Sequence, residues 1–345
     1  MAEPSAPSLA IVIVNYRTAD YVISCVDSLA PERKVAGPFE VIVVDGGSGD
    51  GSAEKLAKHF ADTDWVSVLP LALNGGFGWA NNQAMLRLLQ RPDAPEFIHL
   101  LNPDTVIEPG AVKSLLDVIT VDPEIGAVGS RLIEPDGTVA GSAFRFPTPM
   151  REFLRGCGML KIGKLIGVAP TVIEHAEPGP ADWLTGASTL FRSAALRESG
   201  LFDDGFFLYF EEVELMHRMR RAGWQLWHVP ASRVLHIGGS AAGVASGGQE
   251  GGAALPGFLF ESPRRYFVRT GGSVTLMLAN LAFLGGRLLG AGVQRVRGKR
   301  SGLAPREIPM TLQHSFRATE RDTRPSVTRW DGPPGRAPAW AGKGA

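Results

Sequence analysis

Cysteine is scarce: Cys25 and Cys157 are the only two in 345 residues, and they stand far apart. That excludes a disulfide framework or a cysteine-rich zinc site and fits a reduced, cytoplasmic protein. An excess of one charge is missing too. Lys plus Arg and Asp plus Glu number 35 each, so no overall field favours a polyacidic ligand, and no nucleic-acid partner is expected. The opening "MAEPSAPSLAIVIV" has no basic stretch before its apolar run, so no secretory signal is expected. What is plentiful is apolar residue, 44% of the chain, enough for one large domain with appendages or two small ones.

Over the first 130 residues, Val/Ile/Leu-rich runs alternate with helical patterns. "LAIVIVNY" (9–16) and "FEVIVVDGG" (39–47) are nearly continuous apolar runs, as in strands covered on both faces, and "WVSVLPL" and "FIHLL" are weaker candidates. Between them, "ADYVISCVDSLA", "GSAEKLAKHF", "WANNQAMLRLLQ" and "PGAVKSLLDVIT" repeat apolar residues every three or four positions. The alternation predicts an α/β fold, in which ligands bind beyond the carboxyl ends of the strands.

Those ends are Asn15-Tyr16-Arg17, Asp45 with "GGSGDGS", "NGGFGWANN", and Asn102-Pro103-Asp104. The loop after Asp45 reads equally as a strand-to-helix turn capped by Ser52 or Asp50. Asp104 is more pointed. A carboxylate is a hard ligand suited to Mg²⁺ or Mn²⁺, and Pro103 donates no hydrogen bond, so strand pairing is expected to stop there and leave the carboxylate at a rim. The competing reading is an Asx-Pro turn that merely ends a strand.

Farther on, Glu211, Glu212 and Glu214 open a helix directly after Phe206, Phe207, Tyr209 and Phe210. Acids in a first helical turn complement the helix dipole. A carboxylate among rings is also partly desolvated, which raises its pKa and makes it a better base for a hydroxyl proton. His236 precedes a Gly/Ala/Ser stretch (241–256) that reads as a lid or as a flexible connector.

In this order the stretches "VNYRT", "VDGGSGDGS", "NGGFGWANN", "LLNPDT", "GASTLFRS", "FFLYFEEVEL" and "HIGGS" resemble family 2 glycosyltransferases of the GT-A fold, in particular the rhamnosyltransferase-like branch. The resemblance spans about residues 9–240. It implies a mixed, mostly parallel sheet flanked by helices, with a nucleotide-binding half (about 9–130) and an acceptor half (about 131–240). It places Asn15, Tyr16 and Arg17 against the nucleoside, Asp45 on the base, and Gly76, Phe77, Gly78 and Asn81 along the same pocket. Asp104 matches the metal aspartate, with His236 as a further ligand of Mg²⁺ or Mn²⁺. Asn102 stands where many relatives carry an acid. Trp183, Gly186 and Ala187 fall on the acceptor side. Glu212 occupies the place of the catalytic base, where most relatives have aspartate, as they do at Glu214. The extra methylene displaces the carboxylate by about 1.3 Å, and a shift of about 1 Å can cost about a hundredfold in rate. The base role therefore falls to Glu212 in a reshaped site or to Glu211.

The resemblance implies an inverting transfer of a single sugar from a nucleotide-diphosphate donor to a lipid-linked saccharide or polysaccharide acceptor in cell-envelope glycan synthesis. The first-choice donor is dTDP-L-rhamnose; UDP-galactofuranose, UDP-glucose and UDP-GlcNAc are the alternatives, and a degenerate nucleotide-sugar-binding protein is the competitor from another class. A sugar-nucleotide pyrophosphorylase would need a glycine-rich phosphate loop after the first strand, and "VNYRTADYV" has none. Processive relatives add "QxxRW" and several membrane spans, which are not seen here. Residues 257–297 are expected to form a helical extension. Within it, "SVTLMLANLAFLGGRLLGAGV" (273–293) approaches spanning length but is broken by Asn280, Arg287 and four glycines, and "QRVRGKR" follows. It reads as a buried helical pair or as a peripheral contact with the inner face of the cytoplasmic membrane. From 298 onward, nine basic and four acidic residues share 48 positions with six prolines, which predicts a disordered tail.

Overall fold

Ten of the strands join one sheet, and its central members have the composition that burial on both faces demands. β1 (Leu9–Asn15) and β2 (Phe39–Asp45) are almost wholly inaccessible to solvent. The computed structural model describes residues 8–158, 163, 167–237, 256–298, 307–338 and 340–341. β3 (Val66–Pro70), β4 (Phe97–Leu101), β5 (Thr105–Ile107), β6 (Ile125–Ile133), the two-residue strands β7 (Val139–Ala140), β8 (Ala143–Phe144), β9 (Gly179–Pro180) and β10 (Trp183–Leu184), then β11 (Ser188–Arg192) and β12 (Gln225–His236) follow. The main path runs β3-β2-β1-β4-β11-β6-β12-β5, with β7 beside β6 and β9 beside β12, while β8 and β10 pair separately. β1 is parallel to β2 and β4, β2 to β3, and β6 to β12. β11 runs antiparallel between β4 and β6, so the sheet is mixed and mostly parallel.

Helices Ala19–Leu29, Ser52–His59, Phe77–Leu89 and Ala111–Ile119 fill the connections, and each lies on one of the helical patterns. The helix at Ser52 has Gly51 at its N-cap, and Asp50 Oδ1 accepts from the Ser52 amide at 3.0 Å. One face of the sheet packs on Val22, Val26, Leu29 and Leu115. The other packs on Met85, Leu86, Leu88 and Met216. A third cluster joins Phe206 and Val213 to Tyr266, Phe267 and Leu276, which belong to the long helix Phe258–Val296. That helix turns at Gly272 (φ 73°, ψ −177°), a conformation an L-residue avoids, and its second limb starts at residue 273.

One expectation holds and one is corrected. Pairing of β4 stops at Leu101, just before Asn102-Pro103-Asp104, and the chain then re-enters the sheet at Thr105 as β5, at the far edge beside β12. Proline ended one ladder while freeing the chain to join another. The tail is not disordered through its described parts. Helices Glu307–His314 and Glu320–Thr323 form, the latter with a Thr319/Asp322 capping box, and Ser326 to Arg336 return along the domain. Buried ion pairs supply what apolar patterning did not. Arg264 Nε donates to Asp322 at 2.7 Å, and Arg265 Nη2 donates to both oxygens of Asp203 at 2.6 and 2.7 Å. The Gly/Ala/Ser stretch lies outside the described residues except for Pro256, as do residues 299–306 and 342–345.

Candidate active site

The carboxyl ends of β1 and β2 are tied together before any ligand arrives. Asn15 faces Asp45 across the ladder, and its Nδ2 donates to Asp45 Oδ2 at 2.7 Å. The Ser48 amide donates to Asp45 Oδ1 (3.0 Å) and its hydroxyl to Oδ2 (2.7 Å). The same hydroxyl accepts from the Arg17 amide at 2.9 Å, and Arg17 Nε donates to the Ser48 carbonyl at 3.0 Å. Arg17 sits at φ 58°, with its guanidinium 5.2 Å from the Tyr16 ring centre. Asp45 is thus a buried hub with one lone pair of Oδ1 left for a ligand. Ser48, which organises this loop, was not singled out from the motif.

The "NGGFGWANN" stretch performs a packing task. Gly76 (φ 84°) lies so close to Phe207 that an added Cβ would sit 1.9 Å from its carbonyl oxygen, and the Phe77 amide donates to that oxygen at 3.2 Å. A Cβ on Gly78 would lie 3.4 Å from Glu211 Cβ. Asn81 is buried, with Nδ2 donating to the Phe77 carbonyl at 3.0 Å. Asn82, which sequence reasoning missed, exchanges hydrogen bonds with the Phe202 backbone and donates to Asp204 at 2.8 Å. Close backbone approach therefore joins the helix Phe77–Leu89 to the loop before Glu211.

Asp104 and His236 are brought together by the re-entry of β5. Thr105 pairs with His236, the Ile237 amide donates to the Asp104 carbonyl at 2.9 Å, and His236 Nε2 lies 3.5 Å from Asp104 Oδ1. Asp104 is 4% exposed. Among the described residues no group of three metal-ligating side chains occurs. One carboxylate and one imidazole still fit a cation such as Mg²⁺ or Mn²⁺, which takes few protein ligands and completes its shell with water and substrate phosphates.

The Asn102 amide donates to the carbonyl of Ala187, just before β11, at 2.9 Å. A Cβ on Gly186 would touch Phe77 at 3.2 Å. Trp183 stacks on Phe144 (4.2 Å, 17°), and its Nε1 donates to the Arg145 carbonyl at 3.1 Å. A chain of contacts, Asn102 to Ala187, Gly186 to Phe77, and Gly78 to Glu211, links the rim bearing Asp104 to the acids.

The acids follow a strained turn. Tyr209 (φ 66°) and Phe210 (φ 69°) are consecutive left-handed residues with rings, a costly conformation that concentrates at functional sites. Phe258 and Tyr266 pack on them and hold the turn. Glu211 and Glu212 begin the helix Glu211–Arg221, and each has a buried Oε2 without a hydrogen-bond partner among the described residues. Burial pushes the Glu212 carboxyl up to about 7. Burial, and then the charge of Glu212, raises Glu211 well above the usual range. The two carboxyls are close enough that charge on Glu212 disfavours charge on Glu211. Glu214 is occupied otherwise: both its oxygens accept from Arg218 Nε at 2.9 Å. Asp203 and Asp204, just before the turn, also went unremarked in the sequence. Asp203 accepts from Arg265, Ser326 and the Gly205 amide, and burial raises Asp204 to about 6.

Known proteins place this arrangement. The family model for glycosyl transferase family 2 matches residues 10–165. The N-acetylglucosaminyl-diphospho-decaprenol L-rhamnosyltransferase of Mycobacterium tuberculosis is 33% identical over 221 residues, covering 61% of this chain and 68% of the relative. A rhamnosyltransferase of Escherichia coli (strain K12) is 25% identical over 234 residues, 66% of this chain and 82% of the relative. In fold, the chain is similar to a mannosyltransferase of Pyrobaculum calidifontis solved with GDP-Man and Mn²⁺ (TM-score 0.52, 14% identity, 85% of this chain and 76% of that one). The sheet is that of the GT-A fold, and the chain belongs to glycosyl transferase family 2 as a glycosyltransferase with rhamnosyltransferases among its relatives.

Proposed function

We propose that the protein moves one sugar, with inversion, from a nucleotide-diphosphate donor to a lipid-linked saccharide or polysaccharide in cell-envelope glycan synthesis, at the inner face of the cytoplasmic membrane. dTDP-L-rhamnose is the first-choice donor, supported by the two rhamnosyltransferases among the relatives. The donor half is taken as about residues 9–130 and the acceptor half as about 131–240. Asn15, Tyr16, Arg17 and Asp45 bind the nucleoside, and Asn102 hydrogen-bonds the ribose. Mg²⁺ or Mn²⁺, held by Asp104 and His236, would neutralise the charge growing on the leaving nucleoside diphosphate when bound. Glu212 accepts the acceptor hydroxyl's proton on a carboxylate oxygen as that hydroxyl oxygen bonds to the anomeric carbon and the bond to the diphosphate breaks. A carboxyl near 7 suits a base at neutral pH. Burial and the charge of Glu212 favour the neutral form of Glu211 beside that base, and Trp183 with Gly186 and Ala187 shapes the acceptor side.

The observation that carries this reading is the pair of buried carboxylate oxygens at Glu211 and Glu212, without a hydrogen-bond partner among the described residues, with Glu211 packed against the helix that opens the nucleotide side. Nucleotide sugars incubated with the protein and Mn²⁺, with and without EDTA, should reveal one donor consumed only when the metal is present. Glu212→Gln should lower kcat about a hundredfold or more at saturating donor. Normal turnover in that variant would remove Glu212 as base, and retention by Glu212→Gln with loss in Glu211→Gln would move the role to Glu211.

A further inference from the structure

The second limb of the long helix, residues 273–296, turns two unlike faces to its surroundings. Leu276, Ala279, Gly286 and Gly290 point inward. Added Cβ atoms at Gly286 and Gly290 would lie 2.1 and 2.6 Å from the carbonyl oxygens of Phe153 and Cys157, so the limb meets helix Pro149–Cys157 backbone to backbone. Asn280 Nδ2 donates to the Ser315 carbonyl at 2.8 Å and Arg287 pairs with Glu307, so the polar residues that interrupt the apolar run bind the domain. The outward face carries Val274, Met277, Leu278, Leu281, Leu288, Leu289 and Val296, at helical spacing and 47–89% exposed. A continuous apolar stripe of this size on a folded domain marks an interaction surface.

We propose that this stripe lies in the plane of an anionic membrane surface. Charge selects the occupant. From Gly271 to Gly298 the sequence contains no Asp or Glu, while Arg295 and Arg297 are exposed at one end. A second copy docking through the same stripe would bring Arg295 and Arg297 to a stripe whose own limb carries no acid to receive them. Anionic headgroups supply the missing countercharge while the leucines enter the acyl boundary. The inner face, held by Asn280, Arg287 and the glycine contacts, keeps the limb on the domain rather than across the bilayer. The first limb supports the turn before Glu211 through Phe258 and Tyr266, so a membrane-seated helix sets the acids at a fixed height above the lipid. The purpose assigned to this contact rests on the lipid-linked acceptor proposed above; the contact itself does not.

The test is sedimentation of the full chain, without any sugar donor, on phosphatidylglycerol-containing and on pure phosphatidylcholine vesicles. Binding to the anionic vesicles that weakens with salt is expected. Leu278→Ser/Leu281→Ser/Leu288→Ser should weaken partitioning about a hundredfold, and Arg295→Glu/Arg297→Glu about tenfold or more. Both sets replace exposed side chains, and an unchanged melting curve confirms folding; if the leucine set misfolds, the arginine set decides. No binding at low salt, binding indifferent to both sets, resistance to alkaline carbonate extraction, or self-association without lipid binding would each overturn the proposal. Because no sugar transfer is read, failure of the proposed reaction would leave this result standing.

Discussion

The two stretches beyond residue 256 behave opposite to their hydropathy. The apolar limb 273–296 shows most of its leucines outward, whereas the proline- and arginine-rich tail is stitched to the domain. Arg265 is 2% exposed and Asp203 not at all, deeper than most leucines of the limb. Glycine explains the first case: Gly286 and Gly290 let the limb bury backbone rather than side chains, leaving its large residues free. Guanidinium chemistry explains the second, because one arginine satisfies a carboxylate and several carbonyls at once. Arg265 Nη2 also reaches the Arg324 carbonyl and Ser326.

This contrast can be broken or sharpened. Asp203→Ala strands Arg265 without its counter-ion and should cost about 3–5 kcal/mol in urea unfolding; a loss near that of a surface substitution would deny the tail its anchor. Gly286→Ala should cost about 1–3 kcal/mol by forcing a methyl into the Phe153 carbonyl, measured the same way. The acid pair offers a third comparison. Glu212 titrates near 7 in the folded chain against about 4.5 unfolded, so its folded state favours the proton. The stability this contributes is fully present below about pH 4.5 and is lost as pH rises through about 7. Glu212→Gln should flatten that part of the stability profile, and activity of the wild type should climb over the same interval. Smallest, Leu281→Ser should change stability by no more than about 0.5 kcal/mol; a large loss would mean the stripe is covered within the monomer.

Much of the fold was legible because runs such as "LAIVIVN" and "FEVIVVD" leave little choice once both faces are buried. The strand ends followed, since they are punctuated by Asn15, Asp45 and Asn102-Pro103-Asp104. The parts that escaped share a cause: they depend on partners far away in the chain. Asp203 and Arg265 are separated by 62 positions and Asn82 and Phe202 by 120, and a polar residue awaiting such a partner has no periodicity to betray it. Ser48 was hidden differently, inside a loop whose residues all suit a turn. The left-handed pair Tyr209 and Phe210 carried no signal either, because aromatic side chains favour extended backbone and only packing by Phe258 and Tyr266 holds them otherwise.

The short link from Leu101 to Thr105 also dictates the shape of the whole sheet. In the strand order, β4 and β5 are four steps apart, about 19 Å across a flat sheet at about 4.8 Å per step. Four residues of chain reach only about 14 Å when stretched. A planar sheet is therefore geometrically forbidden, and the layer must roll until its two halves approach. Curvature here is a covalent constraint written in three residues, and Asp104 rides on the hoop that enforces it.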